Sequence, residues 1–174
     1  MSNPYGYNEQ FMHSQRDPRW DFMRLGSSQA TMHGFGCLVS VMAYLSSRVL
    51  QRDVTPGELC NWLNHNGGFD RYGNLIFDAI RRFTGGRLNK TWLPANYQVL
   101  KVLFSGQTHF VVLLKNPANG SLDIIEDPWQ LAPHSNVQSR YIYKQQGILY
   151  FKGSSPMAPF RPEARRVGKA CSSR

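Results

Sequence analysis

Cys37 is the residue whose setting most directly suggests chemistry. It stands in Thr31-Met-His-Gly-Phe-Gly-Cys-Leu-Val-Ser40, immediately behind glycines 34 and 36, which would let the backbone approach closely. Beyond it, apolar residues at 38, 41, 42, 45 and 49 recur with a helical period, so a largely buried helix should open at the cysteine. The first turn of a helix gathers unpaired N–H groups and the positive end of the macrodipole. Such a place favours the nucleophilic thiolate. The plainer reading is a small buried hydrophobe, the usual condition of a free cysteine, and it fits Cys60, which falls inside a later helical stretch.

A thiolate of this kind needs a base, and the second half of the chain offers one. His109 leads the apolar run Phe110-Val-Val-Leu-Leu114, a buried strand by composition. Asn116-Pro-Ala-Asn-Gly120 is a turn, and Ser121-Leu-Asp-Ile-Ile-Glu126 returns from it to Asp127-Pro128. A hairpin symmetric about residue 118 puts His109 directly opposite Asp127, on the same sheet face. An aspartate there accepts one ring N–H and fixes the tautomer, leaving the other nitrogen to take the thiol proton. Taken singly, His109 could be a satisfied core histidine and Asp127-Pro128 no more than a turn. A register slip of one residue would separate them.

The elements that must hold these groups follow a simple order. Residues 14–20, with Pro18 excluding regular helix, form a turn-containing lead-in that Trp20, Phe22 and Leu25 lay on the core. After the Cys37 helix, Thr55 is a helix cap, Pro56 suits the first helical position and Glu58 completes a capping box. That helix ends at Asn66-Gly-Gly68, and a third spans about 74–83 before Gly85-Gly86. Strands follow at 97–103, 109–115 and 121–126. A final hairpin of 141–144 and 148–152 is split by Gln-Gln-Gly. Helices first and antiparallel strands second make an α+β domain, helices packed on one side of a sheet.

In order along the chain, Gln15-Arg-Asp-Pro-Arg-Trp20, Leu25-Gly26, Gly36-Cys37, Thr55-Pro56, Gly67-Gly68, Thr108-His109-Phe-Val-Val112 and Asp127-Pro128 form a pattern. It resembles the papain-superfamily cysteine peptidases related to the bacteriocin-processing, double-glycine leader peptidases, and in particular the stand-alone branch of bacteria and their phages. The likeness spans roughly residues 14–130 and lies in the order and spacing of short motifs. It implies a papain-like fold with Cys37 as nucleophile, His109 as general base and Asp127 as its orienter. It also implies a glutamine in the oxyanion hole. Papain-like enzymes commonly place that glutamine a few residues before the cysteine, where this chain has Thr31. Gln15 is the first candidate and Gln29 the second.

The totals narrow the remaining choices. At 174 residues with 41% hydrophobic and 13% aromatic content, the chain can build one well-cored domain. Three cysteines without Cys-x-x-Cys spacing argue against a disulfide framework. His33, near the cysteine, could line the cleft or be a surface-loop histidine. His65 and His134 lack metal-type spacing, and thiolate–imidazolium chemistry requires no metal or cofactor. No signal peptide and no membrane-length apolar run are present, so the expected place is cytoplasmic or virion-associated.

Of the net charge of +9, residues 161–174 carry five basic groups against one acid, leaving +5 for the rest. That divides the chain into an N-terminal arm (1–13), a peptidase-like domain (14–155) and a basic C-terminal tail (156–174). The arm and tail are candidate contacts for protein partners, and nucleic acid is not the main partner. Phe69, Tyr72 and Trp129 could wall a substrate groove or simply pack the scaffold.

The expected activity is hydrolysis of an amide in a peptide, a protein or a peptidoglycan cross-link through a Cys37 thioester. Acyl transfer to an amine stays open. The alternative is a structural or interaction module, such as a phage virion component, that keeps the fold with little turnover.

Overall fold

A computed structural model describes residues 11–104, 106–115, 119–129, 135–136 and 145–154. The first ten residues of the N-terminal arm and the tail 156–174 lie outside them. Among the described residues the order is α1 (Met32–Phe35), α2 (Cys37–Leu50), α3 (Pro56–His65), α4 (Phe77–Phe83), β1 (Leu88–Thr91), β2 (Tyr97–Phe104), β3 (Gln107–Lys115), β4 (Leu122–Glu126), β5 (Ser135–Asn136) and β6 (Gln145–Gly153). The strands form one sheet in the order β1-β6-β2-β3-β4-β5, antiparallel at every pairing. The fold is α+β. No helix among the described residues is long and apolar enough to cross a membrane.

The central helix is α2. Eleven of its fourteen residues are buried, so it is enclosed on all sides rather than along one stripe. It packs on β3 and α3. Val41, Met42, Leu45 and Val49 join Leu59 and Leu63 of α3 and Tyr97, Val99, Val112 and Phe151 of the sheet in one core. Each such side chain contributes about 1.5–3 kcal/mol by leaving water. The buried Ser47 hydroxyl donates to the Ala43 carbonyl and accepts from the Val54 N–H, fastening α2 to the start of α3. The other sheet face carries a second apolar cluster of Leu100, Val102, Val111, Leu113 and Ile124.

Several expectations need correction. Phe22 is 70% exposed, so Trp20 and Leu25 alone of that trio reach the core. Thr55 caps α3 by accepting from the Glu58 N–H, but the Glu58 carboxylate turns to Arg52 instead of closing a capping box. The third helix starts at Phe77, because Leu75 bridges Phe69 in an extended pairing and the Ile76 N–H bonds the Gly68 carbonyl. Both β1 and β5 are short, four and two residues, and carry no apolar alternation to announce them. Gln145-Gln-Gly147 lies within β6, where Gln145 and Gly147 pair with Val102 and Lys101, so it is not a hairpin turn. The partner expected for that hairpin, 141–144, is outside the described residues.

Candidate active site

The α2 helix begins at Cys37 itself, one residue after α1 is broken at Gly36. That break has a steric reason. A Cβ on Gly36 would lie 2.5 Å from the Met32 carbonyl oxygen, which already accepts the Gly36 N–H. Gly34, by contrast, has open space around it, so only one of the two glycines is needed for the close approach. As the first residue of the helix, Cys37 has an N–H that the helix itself leaves unpaired.

His109 and Asp127 come together, though not by the register expected. β3 and β4 are offset from a hairpin centred on residue 118. Leu113 faces Ile124, a shift of one residue, and a bulge then brings Val112 opposite Glu126, a shift of two. One residue of slip moves every side chain to the wrong face, and the bulge supplies the second residue that restores it. Asp127 thus shares a face with His109 as a diagonal neighbour, a separation that long side chains span. His109 Nε2 and Asp127 Oδ1 are 2.8 Å apart, with both residues buried. The same Oδ1 accepts the Trp129 N–H at 3.1 Å, which orients the carboxylate.

The Cys37 thiol lies within hydrogen-bonding reach of the His109 ring. With Nε2 engaged by Asp127, Nδ1 is the nitrogen left for sulfur. Burial alone would lower the His109 pKa. The Asp127 hydrogen bond, then the Cys37 hydrogen bond and charge, outweigh that and raise it to about 9. That balance favours the protonated imidazolium at neutral pH.

Gln15 is buried beside this group and joins its two halves. Its backbone N–H bonds the Pro128 carbonyl at 3.1 Å. Its side-chain Nε2 donates to the His33 carbonyl at 2.9 Å and lies 3.4 Å from that of Met32, so these acceptors fix which end of the amide is nitrogen. Its Oε1 is buried and has no hydrogen-bond partner among the described residues. Gln29 is exposed in the turn ahead of Thr31. Of the remaining candidates, Trp129 borders Asp127, and its ring meets His33 edge-on at 6.1 Å. His33 is exposed and contacts Asp21 at 3.3 Å. Tyr72 is exposed on the loop after α3, its ring under Arg71. Phe69, on the same loop, packs against the core.

Searches of protein-family models, curated proteins and solved structures found no match to this chain.

Three residues near the site are not singled out as site residues by the sequence pattern. Ser14 and Arg16, flanking Gln15, reach the acid-bearing loop: Ser14 Oγ donates to the Pro128 carbonyl and Arg16 Nη2 to the Trp129 carbonyl, at 3.1 and 2.8 Å. Glu126 is wholly buried, and among the described residues the one donor that acts on its carboxyl is the His13 backbone, too poorly placed for a well-formed hydrogen bond. Burial, then the Asp127 charge beside it, push Glu126 well above the usual carboxylate range; only the His13 backbone pulls the other way. The one available signal was adjacency, of Ser14 and Arg16 to Gln15 and of Glu126 to Asp127.

Proposed function

We propose that this protein is a papain-like cysteine hydrolase acting on amide bonds. The observation that carries the reading is the buried His109–Asp127 pair, 2.8 Å apart, with the helix-opening Cys37 within reach of the same imidazole. In this reading the Cys37 thiolate attacks the amide carbonyl and forms a C–S bond. The C–N bond then breaks, and His109 gives its proton to the departing amine. Water, activated by the now neutral His109, cleaves the thioester and releases the acid. Asp127 keeps the imidazole in the tautomer that faces sulfur and stabilises its charge. The Cys37 N–H is the first donor for the oxyanion, and Gln15 is the candidate for the second. Peptides, proteins and peptidoglycan cross-links fit this chemistry equally.

One observation favours a second reading, a structural or interaction module such as a virion component. The Gln15 amide spends a donor on the His33 carbonyl, which makes it a poorer oxyanion partner as it stands.

Iodoacetamide labelling of Cys37 across pH 4–9, read by mass spectrometry in the parent and in His109→Ala, separates the two. Labelling that persists near pH 5 in the parent and rises only toward pH 8–9 in the variant supports the hydrolase. Equally slow labelling in both would sink it. Peptides and cell-wall fragments are the substrates to screen after a positive result.

A further inference from the structure

Arg16 is an exposed guanidinium held in a fixed place. Its carbon lies 4.3 Å from the centre of the Trp129 ring, and Nη2 donates to the Trp129 carbonyl at 2.8 Å. Two short links and a shared residue thus connect it to the candidate site. Trp129 bonds Asp127, and the neighbouring Gln15 bonds the loop that delivers Cys37. Among the described residues no carboxylate pairs with Arg16. The acids closest in sequence are engaged elsewhere: Asp17 with Arg19 at 2.8 Å, and Asp21 with His33. Arg52 is paired with Glu58, and Arg81 and Arg82 with Asp78. Arg71, like Arg16, lies over an aromatic ring, but its ring is the exposed Tyr72, away from the site.

A guanidinium stacked on an indole has already given up much of its conformational freedom. Its remaining N–H groups present a planar fork suited to a carboxylate. Trp129 also meets His33, four residues before Cys37, so the Arg16–Trp129–His33 row runs from the acid-bearing loop to the nucleophile loop. We propose that Arg16 reads a carboxylate on the substrate, so that the amide cleaved lies beside an acidic side chain or a free C-terminal carboxylate. This rests on Cys37 being the nucleophile and supplies the substrate class which that reading left open.

The test compares alkylation of Cys37 by iodoacetate, which carries a carboxylate, with alkylation by iodoacetamide, which does not. The ratio of the two rates is taken within each full-length protein, cancelling changes in the thiol itself. In Arg16→Met the ratio should fall about three- to tenfold, the effect of one nearby charge at the protein surface. Arg16→Lys, which keeps the charge, should hold it within about twofold.

Protection of Cys37 from iodoacetamide then distinguishes the two carboxylate sources. Ac-Ala-Ala-Glu-NH2 and Ac-Ala-Ala-Ala-OH are each set against neutral Ac-Ala-Ala-Ala-NH2. Better protection by either acidic peptide in the parent, lost in Arg16→Met, supports the proposal and names the source. A ratio unmoved in Arg16→Met, one lowered equally in Arg16→Lys, or no advantage for either acidic peptide overturns it. If iodoacetamide labelling is fast and depends on His109 in those same proteins, the hydrolase reading survives that failure. Slow labelling by both reagents, indifferent to His109, removes both together.

Discussion

Cys37 opens α2 and Cys60 lies in the middle of α3, and both are buried, with 5% and 0% of their surface exposed. What differs is the company. Cys37 stands at a helix start beside an imidazole that is itself held by a carboxylate. Cys60 donates weakly to the Arg24 carbonyl at 3.7 Å, and the Asn64 amide lies 3.8 Å from its sulfur. Burial pushes the Cys60 thiol up to about 11. Burial therefore does not distinguish a reactive thiol from an inert one. The charge that faces the sulfur does.

The largest effect expected from this contrast is selectivity of labelling in the native protein. At pH 7 a thiol of pKa about 11 is ionised in about one molecule in ten thousand. Iodoacetamide should modify Cys37 at least about a hundredfold faster than Cys60, as measured by peptide mapping. Comparable rates at the two sites would dissolve the contrast.

Next in size is the loss of the imidazole. His109→Ala should cut any amide hydrolysis by about 10²–10⁴-fold, the usual contribution of a general base, and should make Cys37 label more like an isolated thiol. Asp127→Asn sharpens the same point through pH. The His109 charge is held up to about 9, so its stabilising contribution is complete below the unfolded value near 6.5 and is lost as pH rises through about 9. In the asparagine variant burial is no longer opposed by the carboxylate. The alkaline limb of the rate profile should then move to lower pH. A limb unmoved by Asp127→Asn would mean that another group sets it.

A smaller effect concerns how Cys37 is placed at all. Gly36→Ala puts a methyl group 2.5 Å from a backbone oxygen that cannot easily yield, so overpacking should cost about 1–3 kcal/mol by urea denaturation. Slower alkylation of Cys37 should accompany it. Gly34→Ala meets nothing within 4 Å and lies inside α1, where alanine is the better helix former by about 0.5–1 kcal/mol. Opposite signs for two glycines a residue apart are expected, and equal losses would show that the break before α2 tolerates a side chain.

The sequence made the nucleophile side of the site easier to read than the acid side, for a physical reason. The start of α2 is a local matter of periodicity and one glycine, both visible in a short stretch. The thiol's two expected partners also meet, but the hairpin arithmetic behind them was off by one residue at Leu113 and by two at Val112. The bulge between these rungs restored the face, and nothing in Leu122-Asp-Ile-Ile-Glu126 marks a bulge. Gln15 emerged through motif order, yet its use of Nε2 on the His33 carbonyl depends on tertiary packing. Phe22 misled because an aromatic in a lead-in looks like core until the turn at 18–22 directs it outward. The short strands β1 and β5 take their form from neighbours, not from their own residues.

The adjacent carboxyls Glu126 and Asp127 repeat the cysteine contrast in acid form, with an effect confined to neutral and higher pH. Both are buried, but Asp127 faces an imidazolium and a backbone N–H, while among the described residues Glu126 has only the weak pull of the His13 backbone. Two carboxylates side by side in the interior cannot both ionise cheaply, so the proton resides on Glu126. A carboxyl whose folded pKa is raised favours the fold only below its unfolded value. Above about pH 4.5 the unfolded chain releases a proton that the folded one keeps, and stability falls as pH rises. Glu126→Gln keeps the shape and removes that penalty. Its melting temperature should match the parent's near pH 4 and exceed it at pH 7 by up to about 7–14 °C, the loss from holding a proton across roughly 2.5 pH units. The alkaline limb set by His109 should stay in place, since a neutral group has replaced a neutral one. A variant that melts lower at pH 7, or whose limb shifts, would mean that Glu126 is ionised in the fold and shares the imidazolium's charge with Asp127.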